Sequence, residues 1–398
     1  MFKLFFYIVS PLILLIILSL YPLIIIRFCF LPSHRIGEFV EFSEVYLLNK
    51  KFKVNTPNKK YFDIFITTKI ISNKTYLNLL KSKITILEGK IVFPIYRIIK
   101  FLSKKIIFFN KFIILKENLD HSIQYNKQNI QILMKNKFID KGDKFLEEIG
   151  IDRNSKIICL LVRDDEYLKK NFPIKDWSYH SYRNCKLENY VDAVNLATQK
   201  GYYVFRMGAT PGKTLEINND RFIDYAKLYR TDFLDVYLAN KCKFSISTGT
   251  GWDALSSWTF RKPHVWTNAV PIGIPVLNPC EKLIFSIKLH YNIKKNKYLS
   301  LKEILNSKLM YASSIDSFNE ENIELHENDS EDIKNMVIEM INYIEKIDDK
   351  SEEDLIFQSK IQSIYKNNLR LPNSKYKIFN TTMSKNFIKK YNFLINEI

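Results

Sequence analysis

The chain has 398 residues, a formal net charge of +18, and 46% hydrophobic and 14% aromatic residues. This length and apolar content exclude a disordered tail and a small disulfide-stabilised domain, and they predict two domains of ordinary size. The five cysteines are widely spaced without a C-x-x-C pair, which argues against a disulfide framework and a structural zinc site. Reduced thiols favour a cytoplasmic folded portion.

The N-terminal segment carries no charge over residues 4–26, a run long enough to cross a bilayer as a helix. We therefore predict a retained membrane anchor at residues 1–30, with a monotopic hairpin and a cleaved signal peptide as the alternatives. Only Lys3 precedes the run, whereas Arg27, Arg35 and many lysines follow it. By the positive-inside rule, this asymmetry predicts an inner-membrane protein whose folded domains are cytoplasmic.

The excess of positive charge is densest in residues 51–111, which hold 14 basic residues against two acidic ones. Two interpretations stay open: a Lys-, Ile- and Asn-rich composition from an A/T-biased genome, and a surface that contacts anionic lipid headgroups. No zinc-finger spacing or aromatic-basic RNA-binding motif accompanies the charge, so we predict no nucleic-acid partner.

The first folded domain is predicted at residues 31–150. Short β-rich runs alternate there with segments of helical spacing, and polar helices close the domain. Such alternation favours βαβ units and a parallel sheet. The β-rich runs are 61–67 and 84–89, the helical segments are 73–83 and 91–105, and the closing helices are within 118–150.

The second domain, predicted at residues 151–335, alternates strands and helices more regularly. This rhythm predicts a doubly wound α/β domain that binds its ligand at the carboxyl ends of the strands. Helices at 336–398 are predicted to pack back on the core. The predicted strands are 155–162, 202–208, 242–248 and 264–268, and the predicted helices are 187–201, 232–241 and 252–260.

A small-residue loop, S-T-G-T-G at 247–251, joins one of these strands to the next helix. Unpaired backbone amides at the amino end of a helix, with glycines that allow close approach, suit a diphosphate. We therefore predict an anion-binding loop, with a tight turn into a core helix as the alternative. The residues concerned are Thr248, Gly249, Thr250 and Gly251.

Arginines stand at the ends of two predicted strands. Arg163 directly follows the strand at 155–162, and Arg206 has the matching place on the next strand, which ends in Gly208. A guanidinium at this edge can hold phosphate oxygens with a planar pair of donors. A salt bridge to a nearby carboxylate is the alternative for each arginine.

His180 lies in the aromatic-rich segment D-W-S-Y-H-S-Y-R-N-C at 176–185. Its imidazole is a candidate general base at neutral pH, with a hydrogen-bonded loop residue as the alternative. The D-x-D motif of metal-dependent sugar transferases is absent, so we predict no metal site.

Four segments together resemble a family of glycosyltransferases from bacterial surface-polysaccharide and lipopolysaccharide gene clusters. The combination Y-H-x-Y-R-N with R-M-G is the most specific part of the resemblance. The resemblance implies a GT-B fold, in which two Rossmann-like domains face each other across a cleft and the second holds a nucleotide sugar. The four segments are 26–39, 158–168, 179–208 and 233–263.

Two positions depart from the expected patterns. Leu161 stands where the similar H-x-R strand of fucosyltransferases has His, and Glu38 stands at the His of an R-I-G-H-F pattern. Arg163 keeps the place of the phosphate ligand. Glu38 becomes a second candidate base beside His180, with a changed acceptor or lost activity as the alternatives.

Together, these features predict a membrane-associated, metal-independent glycosyltransferase without a cofactor. Its partners are a nucleotide sugar, a glycan acceptor that is lipid-linked, and the membrane. Residues 31–150 are the predicted acceptor domain, and residues 151–335 are the predicted donor domain. The alternatives are a nucleotide-sugar epimerase or hydrolase on the same fold, and a non-catalytic membrane-tethered scaffold for glycan assembly.

Overall fold

A computed structural model divides the protein into two compact units. The first contains residues 1–123 and 129–134, and the second contains 124–128 and 135–398. Residues 369–380, within the predicted C-terminal helices, are outside the described part of the chain. The structure describes residues 2–87, 89–120, 130–171, 173–174, 176–209, 212, 214–347, 351–368 and 381–395.

The first unit contains α1 (Phe2–Leu20), β1 (Ile25–Leu31), α2 (Ile36–Lys51), β2 (Tyr61–Thr67), α3 (Lys74–Leu80), β3 (Thr85–Leu87), α4 (Gly89–Ser103) and β4 (Ile113–Ile114). Its strands form a four-stranded sheet in the order β3-β2-β1-β4. All three pairings are parallel, as the sequence predicts. Apolar side chains of α1, α4 and β1 share one core cluster.

The uncharged N-terminal run is divided between a helix and a strand, so the prediction of one membrane-crossing helix over 4–26 is wrong. α1 ends at Leu20, and the β-branched residues Ile25 and Ile26 begin β1, which pairs with β2. Leu14 and Ile17 are buried in the cluster that includes α4. Over the described residues, no helix combines the length and the apolar character needed to span a membrane.

Arg27 lies inside β1 instead of flanking a membrane segment. Its Nε and Nη2 atoms donate to the Asp63 carboxylate on β2 at 2.7 and 2.8 Å. Tyr46 Oη on α2 donates to the same carboxylate at 2.6 Å, and all three side chains are buried. Arg27 and Asp63 face each other in the strand register, so this charge belongs to a structural ion pair.

The second unit contains two sheets. A seven-stranded parallel sheet has the order β14-β10-β9-β8-β5-β6-β7, and a three-stranded antiparallel sheet has the order β12-β11-β13. The strands are β5 (Ile157–Leu161), β6 (Tyr203–Arg206), β7 (Phe222–Ile223), β8 (Phe244–Ser247), β9 (His264–Ala269), β10 (Leu283–Ile287), β11 (Leu289–Asn292), β12 (Lys297–Tyr298), β13 (Ile323–His326) and β14 (Thr381–Met383).

Ten α-helices of the described residues belong to this unit. They are α5 (Asn136–Glu148), α6 (Glu166–Asn171), α7 (Val191–Gln199), α8 (Tyr225–Leu228), α9 (Asp232–Lys241), α10 (Leu301–Leu305), α11 (Ile315–Glu320), α12 (Ser330–Glu345), α13 (Glu352–Asn368) and α14 (Lys385–Lys390), of which α8 is a single turn. α5 packs against α9, where Asp143 accepts hydrogen bonds from Tyr237 Oη and Lys241 Nζ, both at 2.6 Å. These contacts attach α5 to the second unit.

Candidate functional site

The carboxyl ends of β5, β6 and β8 carry most of the residues that the sequence singles out. The three strands are neighbours in the parallel sheet, so their carboxyl ends lie along one edge. Arg163 follows β5, Gly208 follows β6, and Thr248 follows β8. This is the edge at which parallel α/β sheets bind ligands.

Backbone hydrogen bonds fix the Arg163 segment at this edge. The Arg163 amide donates to Thr248 Oγ1 at 2.9 Å. The Arg163 carbonyl accepts from the Cys185 amide at 3.1 Å. The first bond joins the end of β5 to the loop after β8, and the second joins it to the turn that contains Arg183. Neither bond uses the guanidinium of Arg163.

Arg183 brings a second guanidinium to the same place. Its Nη2 donates to the Gly249 carbonyl. Burial, and then the charge of Arg183, lower the pKa of Arg163 to about 10. The buried Nε of Arg163 has no hydrogen-bond partner, and neither arginine forms an ion pair with a carboxylate in the part of the chain that the structure describes. Two adjacent cations with an unused donor suit a multiply charged anion.

The sequence interpretation did not assign Arg183 a role. Arg183 stands in the aromatic-rich segment at 176–185, in which His180 is the predicted site residue. The spacing of Arg183 from Arg163 gives no sign of proximity. The turn after a 3-10 helix, Ser178–Arg183, returns the chain to the end of β5 through the Cys185 hydrogen bond.

Lys288 supports the turn that carries Arg183. The buried Nζ atom, at the end of β10, donates to the Asn184 carbonyl at 2.6 Å. It also lies 3.7 Å from Glu327 Oε1, so its charge is balanced within the protein. The lysine therefore positions the turn and adds little net charge to the anion site.

The loop at 248–251 uses two of its amides internally. The Gly249 amide donates to Ser247 Oγ at 3.1 Å, and the Thr250 amide donates to Asp253 Oδ2 at 2.6 Å. Thr250 Oγ1 donates to the other oxygen of Asp253 at 3.1 Å. A π-helix, Ala254–Thr259, follows instead of the regular helix that the sequence predicts. The Gly249 and Thr250 amides are therefore already hydrogen-bonded within the protein. The donor that is left for a ligand is Nε of Arg163.

Arg206 forms the structural salt bridge that the sequence left open as an alternative. Its Nη1 lies 3.0 Å from Asp224 Oδ2, and both side chains are largely buried. The pair neutralises this guanidinium. Gly208 nearby has φ +153°, and its Cβ position is open except for Ala226 Cβ at 3.5 Å.

The two candidate bases lie in different units. The ring of His180 is 4.0 Å from that of Tyr179 and nearly parallel to Trp177, with ring centres 6.1 Å apart. Glu38 is in the first turn of α2, where Arg35 Nη1 donates to its Oε1 at 3.1 Å. His180 therefore shares a unit with Arg163 and Arg183, whereas Glu38 is a half-exposed carboxylate of the first unit.

Gly249→Ala is expected to destabilise the protein more than Gly201→Ala does. Both glycines have left-handed φ angles, +79° and +83°. A Cβ at Gly249 would be 2.5 Å from the Trp266 ring, whereas one at Gly201 meets nothing within 4 Å. We expect a cost of about 1 kcal/mol for Gly201→Ala and about 1–3 kcal/mol more for Gly249→Ala. Chemical denaturation of both variants checks this, and equal costs would contradict the clash.

Asp253 gives the second unit a pH-dependent stability. Burial raises the pKa of Asp253 to about 6, although hydrogen bonds from Ser247 and Thr250 and the charge of Arg183 act in the opposite direction. The folded state therefore holds this proton more tightly than the unfolded chain. The resulting stabilisation is present below about pH 4 and is lost as the pH rises through about 6.

We expect Asp253→Asn to gain stability relative to the wild type between pH 4 and pH 7, because the amide cannot ionise. Denaturant titrations at several pH values in this range measure the difference in unfolding free energy. A difference that stays constant over the range would show that Asp253 has the same pKa in both states.

Three solved structures are similar to the chain at low identity. The ADP-heptose lipopolysaccharide heptosyltransferase II of Escherichia coli is 11% identical, with TM-score 0.42, over 80% of this chain and 98% of that chain. A family 9 glycosyl transferase from Veillonella parvula is 9% identical, with TM-score 0.37, over 61% and 80%. The iron-containing dodecameric glycosyltransferase TibC of enterotoxigenic E. coli is 12% identical, with TM-score 0.33, over 81% and 77%. No protein-family model and no curated protein sequence matches the chain.

Proposed function

We propose that this chain is a GT-B-type glycosyltransferase that uses a nucleotide-sugar donor. The observation that carries the proposal is the Arg163 and Arg183 pair at the carboxyl edge of the second parallel sheet. Two partly desolvated guanidiniums repel each other until an anion neutralises them. A diphosphate supplies both the charge and the oxygens that planar donor pairs fit.

In the proposed reaction, a hydroxyl oxygen of the acceptor attacks the anomeric carbon of the donor sugar. The bond from that carbon to the diphosphate breaks, and its electron pair goes to the β-phosphate oxygen. Arg163 and Arg183 stabilise the negative charge that develops there. A base takes the proton of the acceptor hydroxyl.

We assign the base to His180, with Glu38 as the alternative. His180 lies within the same 3-10 helix, Ser178–Arg183, that carries Arg183, so it belongs to the unit that holds the proposed diphosphate site. Glu38 would act from the first unit and would have to leave its ion pair with Arg35. Arg206 is left out of the proposed donor ligands because Asp224 already neutralises it.

The acceptor that we propose is a lipid-linked glycan of surface-polysaccharide synthesis, at the cytoplasmic face of the inner membrane. Two features of the first unit support this location. The basic residues of 51–111 outnumber the acidic ones strongly. Several large apolar side chains of α1 are exposed, among them Leu12 and Leu15.

The proposal is tested by incubating the full chain with a panel of nucleotide sugars, with and without a membrane extract as the source of acceptor. Donor turnover that requires the extract supports transfer. Turnover without the extract would instead identify an epimerase or hydrolase. If no donor binds by calorimetry, the chain is not a transferase, and the scaffold alternative replaces it.

Two variants separate the candidate bases. Loss of the base is expected to lower the transfer rate roughly 10²–10⁴-fold, with little change in nucleoside-diphosphate affinity. His180→Ala should show this loss, and Tyr179→Phe, which keeps the stacked ring beside it, should not. If Glu38→Gln shows the loss and His180→Ala does not, the roles are reversed.

A further inference from the structure

One face of α1 exposes apolar side chains to solvent. Leu12, Leu15, Ile16 and Leu20 are 60%, 60%, 53% and 36% exposed. Their spacing puts them on one side of the helix. Leu14 and Ile17, from the opposite side, are buried in the core of the first unit. α1 is therefore apolar on both faces, whereas a helix on a water-exposed surface usually has a polar outer face.

The exposed apolar surface continues past the end of α1. Leu23 is 75% exposed in the turn between α1 and β1. Ile107 is 84% exposed, and its neighbour Phe108 has its ring 5.2 Å from that of Tyr21. Leu20 and Leu23 therefore lie close to Tyr21 in the sequence, and Ile107 is near Tyr21 because the ring of Phe108 contacts the Tyr21 ring. We call the six exposed residues the apolar stripe; they are Leu12, Leu15, Ile16, Leu20, Leu23 and Ile107.

Lysines lie at the same end of the helix. Lys111 Nζ donates to Tyr21 Oη at 2.9 Å, and Lys59 Nζ is 5.1 Å from the centre of the Tyr21 ring. The hydrogen bond from Lys111 and the charges of both lysines lower the pKa of Tyr21. The end of the apolar stripe is therefore positively charged.

Tyr21 and the two lysines line a cavity of about 390 Å³ together with Lys50. The cavity is at the amino edge of the first sheet, where Ile25 and Ile113 begin their strands. This is the edge opposite to the one at which parallel sheets usually bind ligands. Among the described residues that line it there is no Asp or Glu, and several Asn side chains add hydrogen-bonding groups.

We propose that the first unit docks on an anionic phospholipid bilayer, with the apolar stripe in the acyl-chain boundary and Lys50, Lys59 and Lys111 on lipid phosphates. An interfacial helix buries its apolar face at this depth while cations meet the headgroups. The combination of stripe and cationic cavity favours a bilayer over a second copy of the chain, because the first unit is itself rich in lysine and two copies would repel. The proposal rests on the membrane association in the proposed function and specifies which surface makes it. It does not depend on sugar transfer.

Flotation of the full chain with lipid vesicles tests the proposal. We expect co-flotation with vesicles of phosphatidylcholine and phosphatidylglycerol, and much weaker co-flotation with phosphatidylcholine alone. Lys59→Gln/Lys111→Gln should weaken binding to the anionic vesicles by roughly tenfold or more. The control Lys144→Gln/Lys308→Gln removes the same charge from exposed sites of the second unit and should have little effect. Equal losses in the two double variants would overturn the role of the cavity.

A second variant tests the apolar stripe. Leu12→Ser/Leu15→Ser/Ile16→Ser changes only exposed side chains, so it should keep the circular dichroism spectrum of the wild type and lose vesicle binding. Retained vesicle binding would overturn the proposal. So would sedimentation showing a wild-type dimer that these substitutions dissociate, because a second copy would then cover the stripe. Nucleoside-diphosphate affinity, measured on the same variants, reports on the proposed function separately.

Discussion

Arg163→Ala is expected to weaken nucleoside-diphosphate binding by about 1.5–3 kcal/mol, or roughly 10- to 150-fold in Kd. The side chain offers a charge and an unpartnered buried Nε to the ligand, and it has no carboxylate partner among the described residues. The backbone bonds to Thr248 and Cys185 survive in the alanine variant, so the loops keep their anchors. Isothermal calorimetry with a series of nucleoside diphosphates measures the effect.

Two further variants serve as controls for the affinity loss in Arg163→Ala. Arg163→Lys keeps a charge but not the planar pair of donors, so it should recover only part of the affinity. Arg221→Ala removes an exposed arginine of the same unit and should leave binding unchanged. Unchanged affinity in a folded Arg163→Ala protein would mean that Arg163 is not a phosphate ligand.

Asp63→Ala is expected to give the largest loss of stability, about 3–5 kcal/mol. Its carboxylate accepts two hydrogen bonds from Arg27 and one from Tyr46. Removing it leaves the Arg27 guanidinium, on the central strand β1, buried without its counter-charge. Urea denaturation, followed by a signal from the first unit, measures the loss.

The double variant Arg27→Met/Asp63→Leu provides the control. It removes both charges and fills the space with apolar groups, so most of the stability lost in Asp63→Ala should return. If Asp63→Ala costs less than about 1 kcal/mol, the pair is not desolvated in the way its burial indicates.

The parallel α/β character of both units is predictable because strand and helix periodicity are local properties of the sequence. The predicted helix at 232–241 coincides with α9. The prediction of a membrane-crossing helix over residues 4–26 was wrong because a long apolar run is typical of two structures. One is a membrane helix, and the other is a buried helix followed by a buried strand. Only packing against α4 and pairing with β2 distinguish the two.

The site was less predictable than the fold, since its residues meet through tertiary contacts. Arg163 and Arg206 have equivalent places at strand ends, yet among the described residues only Arg206 has a carboxylate, Asp224, within ion-pair distance. Arg183 comes to Arg163 through the turn that Lys288 and Cys185 hold. Spacing along the chain gives no information about either contact.

Hydrogen exchange of the full chain, with and without a bound nucleoside diphosphate, tests the central claim most directly. We predict that binding slows amide exchange around Arg163, in the turn at 183–185 and in the loop at 247–251. The cavity of the first unit, near Tyr21 and Lys111, should exchange as before. Protection confined to that cavity, or no binding of any nucleoside diphosphate, would contradict the assignment of the two arginines to a sugar-nucleotide donor.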